Sequence, residues 1–474
     1  MFNNRLRNSK HAIALAISAM MIGRWQKNSC NTFLSQIFKL FKVIYRMLSN
    51  ARARIKIFLG PQALNFSKAL SVSVFNQAVS SGTNFMMGLY LVHILSPEAF
   101  GLYSIGFALS LFYANVGNAL LLTQMVVHVP DKTLVDRPTY AARMFIAVSV
   151  FCFFTSIFII VLILLSSFFS VWVQQYQKLG FATVAASVSY LVKEFFVRYA
   201  YTVRREIWAL GINIWVALAL GCFVITGHLI GKDFNSVSSL WLYALSHATG
   251  ALAGFLLAGL QLKTVRFYQL KVDCAEAWAG GKWATATTCC YFLRTQAHTI
   301  ITASMLGPVA VAYLNATRLL VAPMFILTPA LSQVFLPRLA TLRTLDSQKV
   351  PRAGMVFSAI LLSITIIYSC FILTFLQCIS NLVFGLKYAS PFILVLSWCI
   401  LAIILSFRDG TEMVFQVMKQ FRILTVVNTL SAIVALISVY GLVNLVGVTG
   451  AIFGMVLGEV VLISLLLFKS KTCL

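Results

Sequence analysis

The sequence predicts an all-α, polytopic integral membrane protein of about twelve transmembrane helices, arranged in two pseudo-symmetric six-helix lobes. Three observations support this fold class. Of the 474 residues, 60% are hydrophobic and 10% are charged, whereas soluble domains carry about one quarter charged residues. The apolar residues form repeated blocks of about twenty residues, the helical length that crosses a bilayer. Finally, basic residues lie between these blocks, and the two halves of the chain resemble each other.

The apolar blocks and the helix breakers between them define twelve predicted spans. These are 70–95, 100–126, 144–170, 181–201, 209–230, 239–262, 285–306, 311–336, 353–378, 389–408, 422–444 and 448–468. Loops after even-numbered spans carry most of the Lys and Arg, whereas loops after odd-numbered spans carry only Lys178, Lys232 and Lys387. The positive-inside rule therefore predicts a multi-pass protein of the inner or plasma membrane with both termini in the cytosol.

The N-terminal segment differs from the rest of the chain. Residues 1–58 hold eleven Lys or Arg and no Asp or Glu, and their apolar run 11–23 is too short to span a bilayer. We interpret the segment as a basic cytosolic arm that lies on anionic headgroups. A transit peptide would share this composition, and a true start near Met47 is a further alternative.

An internal repeat divides the remaining chain. The passage Leu95-Ser96-Pro97-Glu98-Ala99 is echoed 211 residues later by Leu306-Gly307-Pro308-Val309-Ala310, and Thr123-Gln124-Met125-Val126 is echoed by Ser332-Gln333-Val334-Phe335. The same order and nearly constant offset indicate a duplicated six-span unit whose two copies share one orientation. The predicted organisation is an arm (1–60), an N-terminal lobe (61–262), a cytosolic interlobe loop (263–284) and a C-terminal lobe (285–474).

Polar residues at helical spacing interrupt three of the apolar spans. The stripes are Ser73, Gln77, Ser80 and Asn84 in the first span, Ser187, Tyr190, Glu194, Arg198 and Tyr201 in the fourth, and Thr287, Tyr291, Arg294, His298 and Thr302 in the seventh. A charge at the bilayer centre costs roughly 2.5–3.5 kcal/mol on insertion scales. We therefore expect Arg294 and the Glu194/Arg198 pair to face protein or water. Arg318, three residues after Asn315, is a further charged candidate.

Two interpretations of these stripes stay open. They form either an interhelical hydrogen-bond network, with Glu194 and Arg198 paired one turn apart, or a cavity whose guanidinium groups bind an anion. On the second interpretation, the substrate-binding candidates are Arg198, Arg294 and Arg318. The polar lining candidates are Gln77, Asn84, Tyr190, Tyr291, His298 and Asn315, and Glu194 is the proton-coupling candidate. Because carboxylates are scarce within the spans, the pathway favours an anionic cargo.

Signatures of other function classes are missing from the sequence. It contains no phosphate-binding G-x-x-x-x-G-K-[ST] motif, no G-x-S-x-G and no H-E-x-x-H. Its ten cysteines show no C-x-x-C spacing. We therefore expect a carrier with no catalytic residue, metal or cofactor. The net charge of +25 is ascribed to membrane topology, so no nucleic-acid partner is expected.

Six passages of the chain carry a resemblance to known proteins. They are Phe75-Asn76-Gln77-Ala78-Val79-Ser80-Ser81-Gly82-Thr83-Asn84-Phe85, Leu95-Ser96-Pro97-Glu98-Ala99-Phe100-Gly101-Leu102-Tyr103, Lys193-Glu194-Phe195-Phe196-Val197-Arg198-Tyr199, Leu306-Gly307-Pro308, Ala316-Thr317-Arg318 and Leu336-Pro337-Arg338. These passages resemble bacterial polysaccharide flippases of the multidrug/oligosaccharidyl-lipid/polysaccharide exporter superfamily. The likeness covers roughly residues 65–470, and the basic N-terminal arm departs from the usual pattern.

The resemblance implies a V-shaped pair of lobes that alternates access to the two sides of the membrane. The implied cargo is an oligosaccharide repeat unit on undecaprenyl pyrophosphate, moved to the outer leaflet for O-antigen, capsule or exopolysaccharide assembly. A polysaccharide polymerase and its co-polymerase are the expected protein partners. Two alternatives remain, namely a cation-coupled multidrug exporter of the same superfamily and a non-transporting membrane component of a polysaccharide assembly complex.

Overall fold

Every regular element in the described part of the chain is a helix. The structure is a computed structural model that describes residues 60–129, 132–169, 171–231, 233–384, 387–388, 392–418 and 420–473. The helices are α1 (Gly60–Ile94), α2 (Pro97–Gly117), α3 (Thr123–His128), α4 (Arg137–Phe169), α5 (Val171–Thr202), α6 (Glu206–Leu229), α7 (Ser236–Ala258), α8 (Phe267–Leu345), α9 (Val350–Thr374), α10 (Leu376–Phe384), α11 (Phe392–Val417), α12 (Phe421–Val446) and α13 (Val448–Cys473). A π-helical turn, Asn118–Leu122, joins α2 to α3. The predicted arm lies outside the described residues, apart from Gly60.

The prediction of an all-α protein with about twelve spans is confirmed. By length and hydropathy alone, ten helices among the described residues are able to cross a membrane. One of them, Phe267–Pro329, has 63 residues, and its backbone is broken at Gly307, where φ is 82° and ψ is 179°. This helix therefore supplies two spans. The remaining predicted span, 70–95, lies in α1, which is not among those ten helices.

Two compact units divide the described residues. One combines residues 60–71 with Phe375–Leu382, and thus holds the first turns of α1 and most of α10. The other holds Val72–Thr374 and Val383–Leu474. Both six-helix lobes fall largely within this second unit, as do all the cavities and charged clusters described below. We call α1–α7 the N-terminal lobe, and α8 from residue 285 together with α9–α13 the C-terminal lobe.

The duplicated passages form equivalent turns in the two lobes. Ser96 caps α2, its hydroxyl accepting a hydrogen bond from the Ala99 amide at 3.2 Å, and Pro97 is the first residue of the helix. A proline suits this position because the first helical amide needs no intrahelical partner. In the C-terminal lobe, Gly307 takes the positive φ that breaks the helix, and Pro308 starts the next segment.

These two turns meet each other. A methyl group added to Gly101 would lie 1.8 Å from the carbonyl oxygen of Pro308. Only glycine therefore allows α2 to approach the second turn so closely. Nearby, the Lys387 ammonium donates to the carbonyl oxygens of His93 and of Leu95, the latter at 3.1 Å. A cation at the carboxyl end of α1 also favours the helix dipole there.

The segment 263–284, expected to be a loop between the lobes, is helical from Phe267 onward and continues without a break into the seventh span. Its inner face contacts the N-terminal lobe. Arg143 at the start of α4 pairs with the buried Asp273, and His128 lies 3.4 Å from Glu276. Hydropathy does not reveal this helix, because the segment is too short and too polar to form a span.

Burial follows the pattern expected for a protein surrounded by lipid. Phe195, Leu191, Met144 and Leu122 belong to the buried core of the N-terminal lobe, and a smaller core in the C-terminal lobe includes Phe357. Large apolar side chains of α4 point outward instead, with Phe153, Phe154, Phe158 and Leu165 all more than half exposed. In a bilayer those side chains contact acyl chains, so their exposure carries no hydrophobic penalty.

Candidate functional site

A cavity of about 270 Å³ lies between the two lobes, and we call it the interlobe cavity. Helices α1 and α2 form one wall and α8 forms the other. Its lining residues are Ser81, Asn84, Phe85, Gly88, Phe100, Tyr103, Ser104, Phe107, Ala108, Leu111, Gln296, Thr299, Asn315, Arg318, Leu319, Ala322, Phe325 and Ile326. Arg318 is the single charged residue of this lining, which contains no Asp or Glu. The cavity wall therefore carries a positive charge.

Two aromatic rings hold the guanidinium of Arg318. Its Cζ atom lies 5.8 Å from the ring centroid of Phe325 and 5.7 Å from that of Trp398. Such cation–π contacts orient an arginine without using its N–H donors. Within the described residues, Arg318 makes no salt bridge and no side-chain hydrogen bond. Trp398 is itself fixed, because its indole N–H donates to the Leu314 carbonyl at 3.2 Å.

A second cavity, of about 350 Å³, lies entirely within the N-terminal lobe, and we call it the N-lobe cavity. Its lining residues are Ser73, Asn76, Gln77, Ser80, Val126, Glu194, Val197, Arg198, Tyr201 and Asn213. A chain of hydrogen bonds fixes part of this wall: Asn213 donates to Asn76 at 2.8 Å, and Asn76 donates to the Tyr201 hydroxyl at 2.7 Å. These amides and the hydroxyl thus form a rigid polar frame.

The charges around the N-lobe cavity pair differently from the sequence-based interpretation. The buried Lys193 ammonium, with 1% of its side chain exposed, donates to the Glu194 carboxylate and to the Asn213 amide oxygen at 3.3 Å. Glu194 therefore pairs with its neighbour, and the described residues show no salt bridge between Glu194 and Arg198. The Nε atom of Arg198 is buried and has no hydrogen-bond partner among the described residues.

A third polar site, the C-lobe cluster, joins side chains from four helices of the C-terminal lobe. It consists of Arg294, Arg408, Asp409, Glu412, Asn428 and Glu459. One terminal nitrogen of Arg408 donates to both oxygens of Glu459 at 3.0 Å, and the same guanidinium pairs with Asp409. Arg294 donates to the Asn428 amide oxygen, and its Nε atom lies 3.7 Å from Glu459. Every member contacts another, so the cluster ties four helices together.

The structure distributes the predicted site residues over these three places. Arg318, Asn84 and Asn315 line the interlobe cavity, whereas Arg198, Glu194 and Gln77 line the N-lobe cavity. Arg294 joins the C-lobe cluster and lines neither cavity, with its guanidinium 5.6 Å from the ring of Tyr291.

The three remaining candidates, Tyr190, Tyr291 and His298, also lie outside both cavity linings. His298 is buried, with its ring 5.8 Å from that of Trp398. Tyr190 stacks on Tyr243 inside the N-terminal lobe, and its ring lies 4.7 Å from the Lys193 ammonium.

Sequence reasoning missed several polar residues that the structure brings to these sites. Gln296 and Thr299 line the interlobe cavity beside Arg318, and their positions one turn apart on α8 were a usable signal. Lys193 was overlooked because it precedes Glu194 directly, and adjacent helical residues point about 100° apart. Arg408, the last residue of the tenth predicted span, was not among the candidates, but it is the centre of the C-lobe cluster.

Among the comparisons with known proteins, only the one with solved structures finds similar proteins. No protein-family model matches the chain, and a search of curated proteins gives no match. Among solved structures, an inward-facing multidrug resistance MATE family transporter of the MOP superfamily is 14% identical, with a TM-score of 0.64 over 84% of this chain and 94% of that chain.

Two further structures are similar. The lipid II flippase MurJ in an inward closed conformation is 12% identical, with a TM-score of 0.66 over 84% of this chain and 86% of that chain. A MOP superfamily transporter from Pyrococcus furiosus, described as having a binding pocket of reverse polarity, is 12% identical, with a TM-score of 0.58 over 85% of this chain and 95% of that chain. The chain therefore has the fold of MOP-superfamily membrane transporters.

Proposed function

We propose that this chain moves an undecaprenyl-pyrophosphate-linked oligosaccharide from the cytosolic to the outer leaflet by alternating access. The observation that carries this proposal is the charge of the interlobe cavity, where Arg318 is the single charged lining residue and no carboxylate opposes it. A guanidinium presents forked N–H donors that match pyrophosphate oxygens. The aromatic contacts of Arg318 leave those donors available.

The size of the interlobe cavity supports a transport cycle. Its volume of about 270 Å³ is below the roughly 300–1,000 Å³ of ordinary small-molecule pockets. A pyrophosphate that carries several sugars needs more room, so the lobes must separate to admit it. The contact of Gly101 with Pro308, and the capping of α1 by Lys387, close one end of the space between the lobes. In the proposed cycle these contacts break and re-form.

The alternating-access step is tested by the matched pair Gly101→Ala and Gly82→Ala. The added methyl group at position 101 would overlap the Pro308 carbonyl, whereas position 82 has no atom within 4 Å of it. We expect Gly101→Ala to fold but to lower surface-polysaccharide export at least tenfold, and Gly82→Ala to export normally. Full export by Gly101→Ala would contradict closure at this contact.

The cargo is tested by deleting the gene in its host. We expect surface polysaccharide to be lost and a lipid-linked precursor to accumulate. The wild-type gene should restore export, and Arg318→Gln should not, although that variant should be produced in normal amounts. Unchanged polysaccharide with no accumulated precursor would contradict the proposal.

One observation favours a multidrug exporter as a second candidate. The interlobe cavity is rich in aromatic side chains, including Phe85, Tyr103, Phe107 and Phe325, and aromatic faces attract organic cations. Arg318 would repel such a cargo, and no carboxylate of the lining would offset it. Expression in a drug-sensitive host separates the two candidates, because only the exporter predicts resistance to cationic dyes.

A further inference from the structure

The N-lobe cavity shares no lining residue with the interlobe cavity, although helix α1 contributes residues to both. It is larger, at about 350 Å³ compared with about 270 Å³. Eight of its ten lining residues are polar or charged, and only Val126 and Val197 are not. Buried polar groups that lack hydrogen-bond partners destabilise a protein. The cavity therefore provides a place for a polar ligand.

The charge of this cavity identifies the class of ligand. Lys193 and Glu194 neutralise each other in a direct ion pair. That pairing leaves Arg198 as the surplus positive charge at the cavity wall. Among the described residues, the Nε atom of Arg198 is buried and finds no hydrogen-bond partner, and an unsatisfied buried donor is unfavourable, more so when the group is charged. An anion in the cavity would supply the missing acceptor.

The neighbouring side chains fit an oxyanion. Hydrogen bonds link Asn76 to Tyr201 and to Asn213. These bonds fix the orientation of the three side chains at the cavity wall. Ser80 makes no side-chain hydrogen bond with described residues, and its hydroxyl can donate to an anion that Arg198 holds. An arginine with adjacent hydroxyl donors is a common arrangement for phosphate.

A direct link connects the two cavities. Gln77 lines the N-lobe cavity, and its side-chain amide donates to the Ser81 hydroxyl at 3.0 Å. Ser81 lines the interlobe cavity. Along α1, the residues of the N-lobe cavity (73–80) precede those of the interlobe cavity (81–88). In the predicted topology, with the start of α1 in the cytosol, the N-lobe cavity is the first of the two on the way across.

We propose that the N-lobe cavity is a second anion site, in which Arg198 binds a phosphate group before it passes along the polar stripe of α1 to Arg318. This inference rests on the proposed function, since it assigns a first binding site to the same anionic cargo. The phosphate belongs either to the head of a polyprenyl lipid or to a free phosphate anion, and the experiment below separates these sources.

The experiment counts bound anions on the purified full-length chain in nanodiscs, by equilibrium dialysis with radiolabelled inorganic pyrophosphate. The wild type should bind two per chain, and Arg198→Gln and Arg318→Gln should each bind one. Arg266→Gln, which removes an exposed arginine that lines neither cavity, should still bind two. Arg198→Lys keeps the positive charge but loses the forked N–H donors of the guanidinium. The affinity of the N-lobe site for pyrophosphate should therefore fall about tenfold.

Each result bears on a different part of the account. One anion per wild-type chain, or two anions on Arg198→Gln, would overturn the second site. Two anions on Arg318→Gln would contradict the proposed function and leave the second site standing. If Arg198→Gln does not fold, Ser80→Val on the folded chain must weaken one of the two sites, and an unchanged pair of affinities would count against the proposal.

Competition between undecaprenyl pyrophosphate and the radiolabelled pyrophosphate identifies the source of the phosphate. Displacement of both radiolabelled anions would assign both sites to the lipid-linked cargo, as the proposed path requires. Displacement of only the anion that depends on Arg318 would assign the N-lobe site to a free phosphate anion. It would also overturn the proposal that the cargo passes through both sites.

Discussion

The two lobes share a fold and a repeated turn, but they use buried charge in opposite ways. In the N-terminal lobe, two cations, Lys193 and Arg198, face one carboxylate beside an open cavity. In the C-terminal lobe, Arg294 and Arg408 face three carboxylates in a cluster in which every member contacts at least one other.

This difference separates guanidinium groups that bind helices to each other from those that are free to bind a cargo. Arg408 donates to carboxylates and Arg294 donates to the Asn428 amide oxygen, whereas Arg198 and Arg318 make no salt bridge with the described residues. Arginine in a transmembrane span is therefore ambiguous until its partners are known. Charge balance within each cluster, more than the presence of an arginine, indicates where an anion can bind.

The largest effect on stability is expected from Arg408→Gln. The change leaves three carboxylates with only Arg294 to pair with, and breaking a buried ion pair by removing one partner costs about 3–5 kcal/mol. We expect a large drop in melting temperature and in the yield of monodisperse protein. The double variant Arg408→Gln with Asp409→Asn should recover part of the loss, and a normal melting temperature for the single variant would contradict the comparison.

A smaller loss, of about 1–3 kcal/mol, is expected from Lys193→Met, which leaves the Glu194 carboxylate unpaired. The effect should be smaller than in the C-lobe cluster because Glu194 lines a cavity and retains 19% side-chain exposure. Restoring charge balance with Glu194→Gln in the same chain should return the melting temperature toward that of the wild type. A double variant that is less stable than Lys193→Met alone would contradict the pairing of Lys193 with Glu194.

The surplus cations should matter least to the fold. Arg198→Gln removes a side chain that makes no salt bridge with the described residues, and Arg318→Gln loses two cation–π contacts of roughly 0.5–1 kcal/mol each. We expect melting temperatures within a few degrees of the wild type, measured by intrinsic fluorescence without added ligand. A collapse in either variant similar to that of Arg408→Gln would make these arginines structural and would remove the distinction between the two lobes.

The smallest effect is expected at a pair outside the membrane, between Lys349 and Asp346 at 2.8 Å. The hydrogen bond from Lys349 lowers the pKa of the exposed Asp346 carboxyl. Any stabilisation is therefore present at neutral pH and disappears as the pH falls through that lowered pKa. Exposed pairs contribute little, so Lys349→Gln should not change the melting temperature measurably at neutral pH. A large change would show that pair geometry alone, without burial, governs stability here.

The sequence was sufficient for the fold and for part of the candidate site. Hydropathy located the spans, because every helix that faces lipid must satisfy its backbone internally and present apolar side chains. The stripe on α1 also placed Gln77 and Asn84 beside cavities, since residues three or four apart share a helix face.

Partners on distant helices were beyond the reach of the sequence. Glu459 and Asn428 belong to α13 and α12, and no spacing on α8 indicates that they meet Arg294. The pairing of Lys193 with Glu194 likewise depends on Asn213 of α6, which helps fix the ammonium in place. Periodicity assigns a residue to a face of its own helix, but tertiary packing decides what that face meets.

The most direct test of the central claim measures flipping of an undecaprenyl-pyrophosphate-linked oligosaccharide in proteoliposomes. Wild-type protein and Arg318→Gln are compared at equal, verified amounts of folded protein, with Arg266→Gln as the control for an exposed arginine. The account predicts that Arg318→Gln lowers the flipping rate at least tenfold at a nearly unchanged melting temperature, while the control matches the wild type. Equal rates for Arg318→Gln and the wild type would contradict it.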